Sequence, residues 1–310
     1  MKVLITGASG MLGKHLLEHH KSKKHDVLAP KRSELDLLKR DQVEAYIAKH
    51  KPDLIIHAAG VVGGIHANIQ NPVKFLIENI DIHRNLIMTA YQQGCQNFLN
   101  LSCSCMYPRE TSMPMQEKSI LTGALEPTNE GYALSRIVAQ RLCQYISKES
   151  PSVKYKTLIG SNLYGPYDHF DSENSHLVAA IISKVYAAQK ANLPTVEIWG
   201  DGLAKREFMF TADFADCIWR AVENFETLPA LANAGNGIEN TINEYYELVA
   251  KALHYTGKFI HDVTKPSGMP QKIVDTAHLT AWGWKALTSL EKGLKLTCDY
   301  YLNQFAPNRR

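Results

Sequence analysis

Short apolar runs alternate with longer amphipathic stretches along this chain, which predicts an α/β fold: a doubly wound parallel sheet covered by helices on both faces. A second observation is the glycine-rich segment where the first apolar run meets the first amphipathic stretch. The third is size: 310 residues, 45% of them apolar, suffice for one large domain carrying a smaller one on its loops.

The elements follow in order. "KVLITG" (2–7), "DVLAP" (26–30), "DLIIHAAG" (53–60), "NFLNLSCS" (97–104) and "KYKTLIGSNLYG" (154–165) are short and β-branched or apolar, as buried strands are. "MLGKHLLEHHKS", "RDQVEAYIAKH", "PVKFLIENIDIHRNLIMTAYQQG" and "NEGYALSRIVAQRLCQYISKE" lie between them with helical spacing of apolar residues. The pattern then loosens into "GPYDHFDSENSH", a helix in "LVAAIISKVYAAQKA", a strand in "VEIWG" and a loop leading into "REFMF". "TADFADCIWRAVENF" and "ALANAGNG" read as one more helix and strand of the large domain, and the chain from "TINEYYELVAKALHYTG" onward as a small α/β cap. The expected division is 1–165 with 207–237 as the large domain, and 166–206 with 238–310 as the small one.

Composition narrows the function. Thirty-four Lys and Arg against 31 Asp and Glu leave a formal charge of +3, with no long basic run, so a nucleic-acid partner is not expected. No apolar run approaches the roughly 18 residues that span a bilayer, and the opening "MKVLITG" enters a strand at once, without a signal-peptide pattern. The expectation is a soluble cytoplasmic protein without a membrane partner. Six scattered cysteines do not make a disulfide scaffold, and the Cys103/Cys105 pair has no second pair at zinc-like spacing, so no metal site is expected. If both residues lie on one strand, their side chains share a face.

"GASGMLG" places Gly7, Gly10 and Gly13 in a G-x-x-G-x-x-G pattern, with Met11 inside it, between the first strand and the first helix. Glycines there let the backbone turn tightly and approach a pyrophosphate held at the positive end of the helix, which makes a Rossmann-type dinucleotide site the favoured reading over a merely tight turn. NAD enzymes usually carry an acidic residue at the end of the second strand; this chain has Lys31 and Arg32, suited to a 2′-phosphate, so NADP(H) is favoured over two ordinary surface cations. Asp36 is expected nearer the adenine. Ala58, Ala59 and Gly60 end the third strand with small residues where the chain passes the cofactor. His57 reads as a core histidine or as one that supports the site from behind, since nothing in the sequence pairs it with a partner.

"GYALSR" sets Tyr132 and Arg136 four residues apart on one helix face. A fixed cation beside a phenol favours phenolate and lowers its pKa, making tyrosine a usable proton donor to a developing alkoxide.

With these pieces the sequence resembles the extended short-chain dehydrogenases/reductases, and within them the branch that epimerises and reduces GDP-4-keto-6-deoxy sugars. Supporting blocks run through nearly the whole chain: "VGGIHAN" (62–68), "CMYP" (105–108), "LEPTNEGYA" (125–133), "NLYGPYDHF" (162–170), "NSH" (174–176), "WGDGLAKREF" (199–208), "TINE" (241–244) and "DVTKPSGMPQKIVD" (262–275). The resemblance implies an NADPH-dependent 4-reductase, with or without 3,5-epimerisation, whose small domain binds the nucleotide sugar. It implies Tyr132 as the proton donor at C4, and Cys105 and His176 as the acid and base at C3 and C5. It also points to Asn162, Trp199, Arg206 and Lys272 at the nucleotide sugar, with Lys184 where an arginine is usual. Relatives are commonly homodimers built on two long helices, which here would begin after residues 73 and 129.

Two catalytic positions depart from the family. Cys103 stands where the serine belongs, and Arg136 where the lysine of Y-x-x-x-K belongs. A thiol is a weaker donor than a hydroxyl, and a guanidinium is bulkier than an ammonium and never deprotonated. Ser102 or Ser104 replaces the missing hydroxyl only if the backbone shifts. Three readings therefore stand: a working reductase acting on a hexose or heptose, an epimerase with weak or no hydride transfer, and a dinucleotide-binding subunit without turnover.

Overall fold

A computed structural model describes residues 1–171, 175–265 and 269–305. Asn174 and residues 266–268, which belong to two of the quoted blocks, lie outside the described residues. The chain runs β1 (Lys2–Thr6), α1 (Met11–Glu18), β2 (Asp26–Leu28), α2 (Arg40–His50), β3 (Leu54–His57), α3 (Ile65–Gln70), α4 (Pro72–Gln92), β4 (Asn97–Cys103), α5 (Glu130–Glu149) and β5 (Lys154–Gly160). It continues through β6 (Asn162–Tyr164), α6 (Leu177–Lys190), β7 (Thr195–Trp199), β8 (Lys205–Phe210), α7 (Thr211–Glu223) and β9 (Leu231–Ala234). The last elements are β10 (Glu239–Thr241), α8 (Ile242–Leu253), β11 (Lys258–Asp262), β12 (Gln271–Lys272), α9 (Ala277–Ala281) and α10 (Leu290–Phe305).

Six strands form one parallel sheet in the order β2-β1-β3-β4-β5-β9. Alternate residues of each strand feed opposite faces. Val3, Ile5, Leu54, Ile56, Leu99, Leu101 and Leu158 join a cluster with Leu16 and Trp219, which donates from Nε1 to Leu16 O at 2.9 Å. On the other face Leu4, Ile55, Phe98 and Tyr155 pack with Val43, Ile47, Leu86, Ile87 and Cys143 from α2, α4 and α5. Burial on both sides explains why these strands read as continuous apolar runs. The strand order reverses between β1 and β3, and the carboxyl ends of the strands there form the crevice where ligands enter such sheets.

The expected single strand over 154–165 is two. Gly160 still pairs with Cys103 of β4 and Ala234 of β9, yet Asn162 pairs with Phe208 of β8. Ser161 is the corner at which the chain leaves one sheet for a second, formed by β6, β8, β10 and β12. β7 and β11 make a separate parallel pair. Helices α6, α8 and α10 pack beside these around Ile181, Ile182, Phe208, Tyr245, Val249 and Leu294.

Candidate active site

The cofactor side is built from backbone. β1 is followed by Gly7 at φ +75°, a value that favours glycine, and a Cβ there would stand 2.8 Å from the backbone of Ala58 and Ala59 at the end of β3. At Gly13 a Cβ would stand 2.2 Å from Gly7 O, so neither position tolerates a side chain without moving the loop. Gly10 caps α1, whose first turn carries no acidic residue, leaving the positive end of the helix open to an anion. Met11 Sδ lies 3.5 Å from the Thr211 hydroxyl. Lys31 and Arg32 follow β2 as exposed cations, with Arg32 Nε 3.7 Å from the half-buried Asp36 carboxylate. Glycine cradle, open helix end and cations together fit a phosphorylated dinucleotide.

The catalytic side is built from side chains. β4 ends at Cys103, and a one-turn 3-10 helix over Ser104–Met106 follows, so strand alternation does not place the two cysteines. The turn brings them together: Cys103 Sγ is 3.0 Å from Cys105 Sγ and 3.8 Å from Tyr132 Oη. Ser102 donates to Met106 Sδ at 2.6 Å and Ser104 is buried, and among the described residues neither hydroxyl is hydrogen-bonded to Cys103, Cys105 or Tyr132. Arg136 lies one turn along α5 from Tyr132, with its guanidinium carbon 4.9 Å from the centre of the phenol ring. Its Nη1 donates to Leu101 O at 3.4 Å, and Gly60 leaves room for Nη2, which a Cβ there would approach to 2.4 Å.

Burial and neighbouring charge set the protonation of this group. The hydrogen bond with Cys105 is the main cause that draws the Cys103 thiol down to about 5, with Arg136 helping against burial. Cys105 is pushed well above the ordinary thiol range by the same contact and by burial, while the charge of Lys272 reaches it in opposition. The expected lowering of Tyr132 is not what the fold produces: burial pushes the phenol well above its ordinary value, and Arg136 only opposes that. His57, expected to be without a partner, has two: Nδ1 meets Thr6 Oγ1 at 2.8 Å and Nε2 meets His83 Nδ1 at 2.7 Å. Both rings are fully buried; burial foremost, then the charge of Arg136, lowers His57 to about 3 and His83 well below its ordinary value.

His176 is exposed at the N-cap of α6, without a hydrogen bond to the cysteines or Tyr132 among the described residues. Burial raises the Asp168 carboxyl above its ordinary range, with His176 among the groups that oppose this, and sequence reasoning did not single out this carboxylate although "NLYGPYDHF" contains it. The residues expected at the nucleotide sugar lie in and around the small sheets. Arg206 on β8 is opposite Lys272 on β12, and Asn162 donates from Nδ2 to Glu207 O at 3.0 Å. Lys184 Nζ donates to Glu197 O at 2.6 Å, and Trp199 is 59% exposed with Nε1 on the Glu197 carboxylate at 3.1 Å.

Glu207, also unanticipated, organises this arm. Its Oε1 accepts from Asn236 N at 2.7 Å and Gly237 N at 2.9 Å, and Oε2 accepts from Val274 N at 2.9 Å. One buried carboxylate thereby joins β8 to the segment after β9 and the segment after β12.

Comparison with known proteins supports the same picture. Residues 3–235 match the model of the NAD dependent epimerase/dehydratase family. The GDP-L-colitose synthase of Yersinia pseudotuberculosis is 49% identical over 304 residues, covering 98% of this chain and 99% of the relative. The GDP-L-fucose synthase of Azorhizobium caulinodans is 45% identical over 301 residues, covering 97% and 96%. Among solved structures, a GDP-6-OMe-4-keto-L-xylo-heptose reductase from C. jejuni superposes with a TM-score of 0.89 at 23% identity, covering 98% of each chain, and shares the fold. A GDP-L-fucose synthetase from Naegleria fowleri bound to NADP gives 0.89 at 22% identity, covering 100% of this chain and 95% of that one. On the extent of the family match and the identity to these two synthases, the chain belongs to the NAD-dependent epimerase/dehydratase family.

Proposed function

We propose that this chain is an NADPH-dependent 4-reductase with epimerase activity, acting on a GDP-4-keto-6-deoxy sugar. The observation that carries the reading is the convergence of Tyr132, Cys103 and Cys105 at the carboxyl end of β4. Gly7, Gly10, Met11, Gly13, Ala58, Ala59 and Gly60 would hold the dinucleotide, with Lys31 and Arg32 at its 2′-phosphate and Asp36 toward the adenine. NADP(H) bound there supplies the hydride for the C4 ketone.

The chain's own residues handle protons. Tyr132 keeps its proton at neutral pH because burial raises it, and it donates to the C4 oxygen as charge develops there. Arg136 over the ring stabilises the phenolate left behind. The C4 ketone acidifies the hydrogens on its neighbouring carbons, so His176 takes a proton and the protonated Cys105 returns one. Ionised, Cys103 accepts hydrogen bonds and does not reproduce a serine donor. Asn162, Lys184, Trp199, Arg206 and Lys272 would hold the nucleotide sugar, with the cations at its diphosphate and the indole stacked on an apolar face.

Exposed Val73 and Ile77 on α4, and Leu134, Val138 and Tyr145 on α5, form an apolar face on a packed helix pair, which supports a homodimer. Free thiols and the demand for NADPH fit a cytoplasmic enzyme. No helix among the described residues is long and apolar enough to cross a membrane.

The keto precursors of GDP-L-fucose and GDP-L-colitose, each supplied with NADPH in deuterated water, test the reading. NADPH consumption with deuterium entering beside the former ketone is expected for one of them. Exchange without consumption favours the epimerase reading, and NADPH binding with neither reaction favours a binding subunit.

A further inference from the structure

The paired departures at 103 and 136 make physical sense together. Arg136 is 5% exposed, its Nε has no hydrogen-bond partner, and among the described residues no carboxylate pairs with its guanidinium. A buried cation without an anion is costly. Cys103 lies 3.8 Å from the hydroxyl of the Tyr132 ring that the guanidinium covers, and its thiol is drawn down to about 5 chiefly by the hydrogen bond with Cys105, with the charge of Arg136 adding to this, so an ionised Cys103 supplies a nearby anion. Cys105, 3.0 Å away, keeps its proton. One sulfur is thus a nucleophile and its neighbour a protonated thiol positioned to resolve what that nucleophile forms. The other cysteines, Cys95, Cys143, Cys217 and Cys298, are buried, and burial pushes each thiol up.

We propose that Cys103 and Cys105 form a modification site within the catalytic mouth, a dithiol that takes hydrogen peroxide as oxidant and closes to a disulfide. The Cys103 sulfur attacks one peroxide oxygen, the O–O bond breaks, and the leaving hydroxide takes up a proton as water, leaving a sulfenic acid. The Cys105 sulfur then attacks Cys103, the S–S bond forms, the S–O bond breaks, and the hydroxyl departs as a second water with the Cys105 proton. Two thiols lose two electrons and one peroxide becomes two waters. The sulfurs must close from 3.0 Å to about 2.05 Å, a shift of about an ångström within the turn that holds Ser104. Closure removes the Cys105 proton and the anion beside Arg136; reduction by a dithiol restores both.

The chemistry needs no sugar, and its test reads masses, so it stands or falls apart from the reductase reading. The full chain is treated with equimolar hydrogen peroxide, alkylated, and mapped by mass spectrometry. The peptide holding both cysteines should lose two hydrogens and escape alkylation, and dithiothreitol should reverse this. Cys105→Ser should stop at a Cys103 sulfenic acid trapped by dimedone, and Cys103→Ser should slow peroxide consumption at this peptide by about tenfold or more. First oxidation at Cys95, Cys143, Cys217 or Cys298, or sulfenic acid on Cys105 of the unsubstituted protein, would overturn the proposal.

Discussion

The two sides of the crevice are made of different material. At the β1 and β3 ends, Gly7, Gly13 and Gly60 act through what they lack, and the open end of α1 acts through backbone dipoles. At the β4 end, Cys103, Cys105, Tyr132 and Arg136 act through ionisable side chains stacked within a few ångströms, with His57 and His83 behind them. The first side should respond to added atoms and scarcely to pH; the second should respond to a single changed atom and to protons.

The largest effect tests the second side. Tyr132→Phe removes the donor to C4 and should slow reduction by roughly 10²- to 10⁴-fold with NADPH binding kept, measured by NADPH oxidation beside cofactor titration. Unchanged turnover would remove Tyr132 from its role. Protons come next. His57 titrates near 3 in the folded protein and His83 well below 6.5, whereas both return to 6.5 when unfolded. The unfolded chain therefore binds more protons across that window, and stability falls with pH below about 6.5, by about 1.4 kcal/mol per pH unit per histidine. Denaturation midpoints followed downward from neutral pH measure this, and His83→Gln should flatten the slope.

Gly13→Ala tests the first side, because its Cβ would stand 2.2 Å from Gly7 O. It should cost about 1–3 kcal/mol of stability and weaken NADPH binding, with the pH slope unaltered. The smallest effect is at the exposed cations. Lys31→Ala with Arg32→Ala should reduce the preference for NADPH over NADH by roughly tenfold, about 1.4 kcal/mol, and an unchanged ratio of dissociation constants would assign them to the surface.

The same contrast explains what could be read from sequence. Gly7, Gly10 and Gly13 share one turn, although Gly7 also meets Ala58 and Ala59 from the end of β3, and Tyr132 and Arg136 meet because a helix brings every fourth residue round, so spacing alone reveals both. His57 and His83 are 26 residues apart and meet only when α4 packs on β3, which no local pattern encodes. The end of β4 at Cys103 and the corner at Ser161 are decided by partner strands elsewhere in the chain. Spacing located Tyr132 beside Arg136 but missed the direction of its shift, because burial depends on the whole surround of the ring.

The Glu207 carboxylate has a consequence for binding in salt. It holds its three backbone donors away from water, where mobile ions do not screen them, and so keeps Arg206 and Lys272 in register without relying on surface attraction. With those two cations at a diphosphate, as proposed, rising ionic strength should weaken their pull while the buried contacts that hold them in register persist, so affinity should fall without a change in how the sugar is oriented.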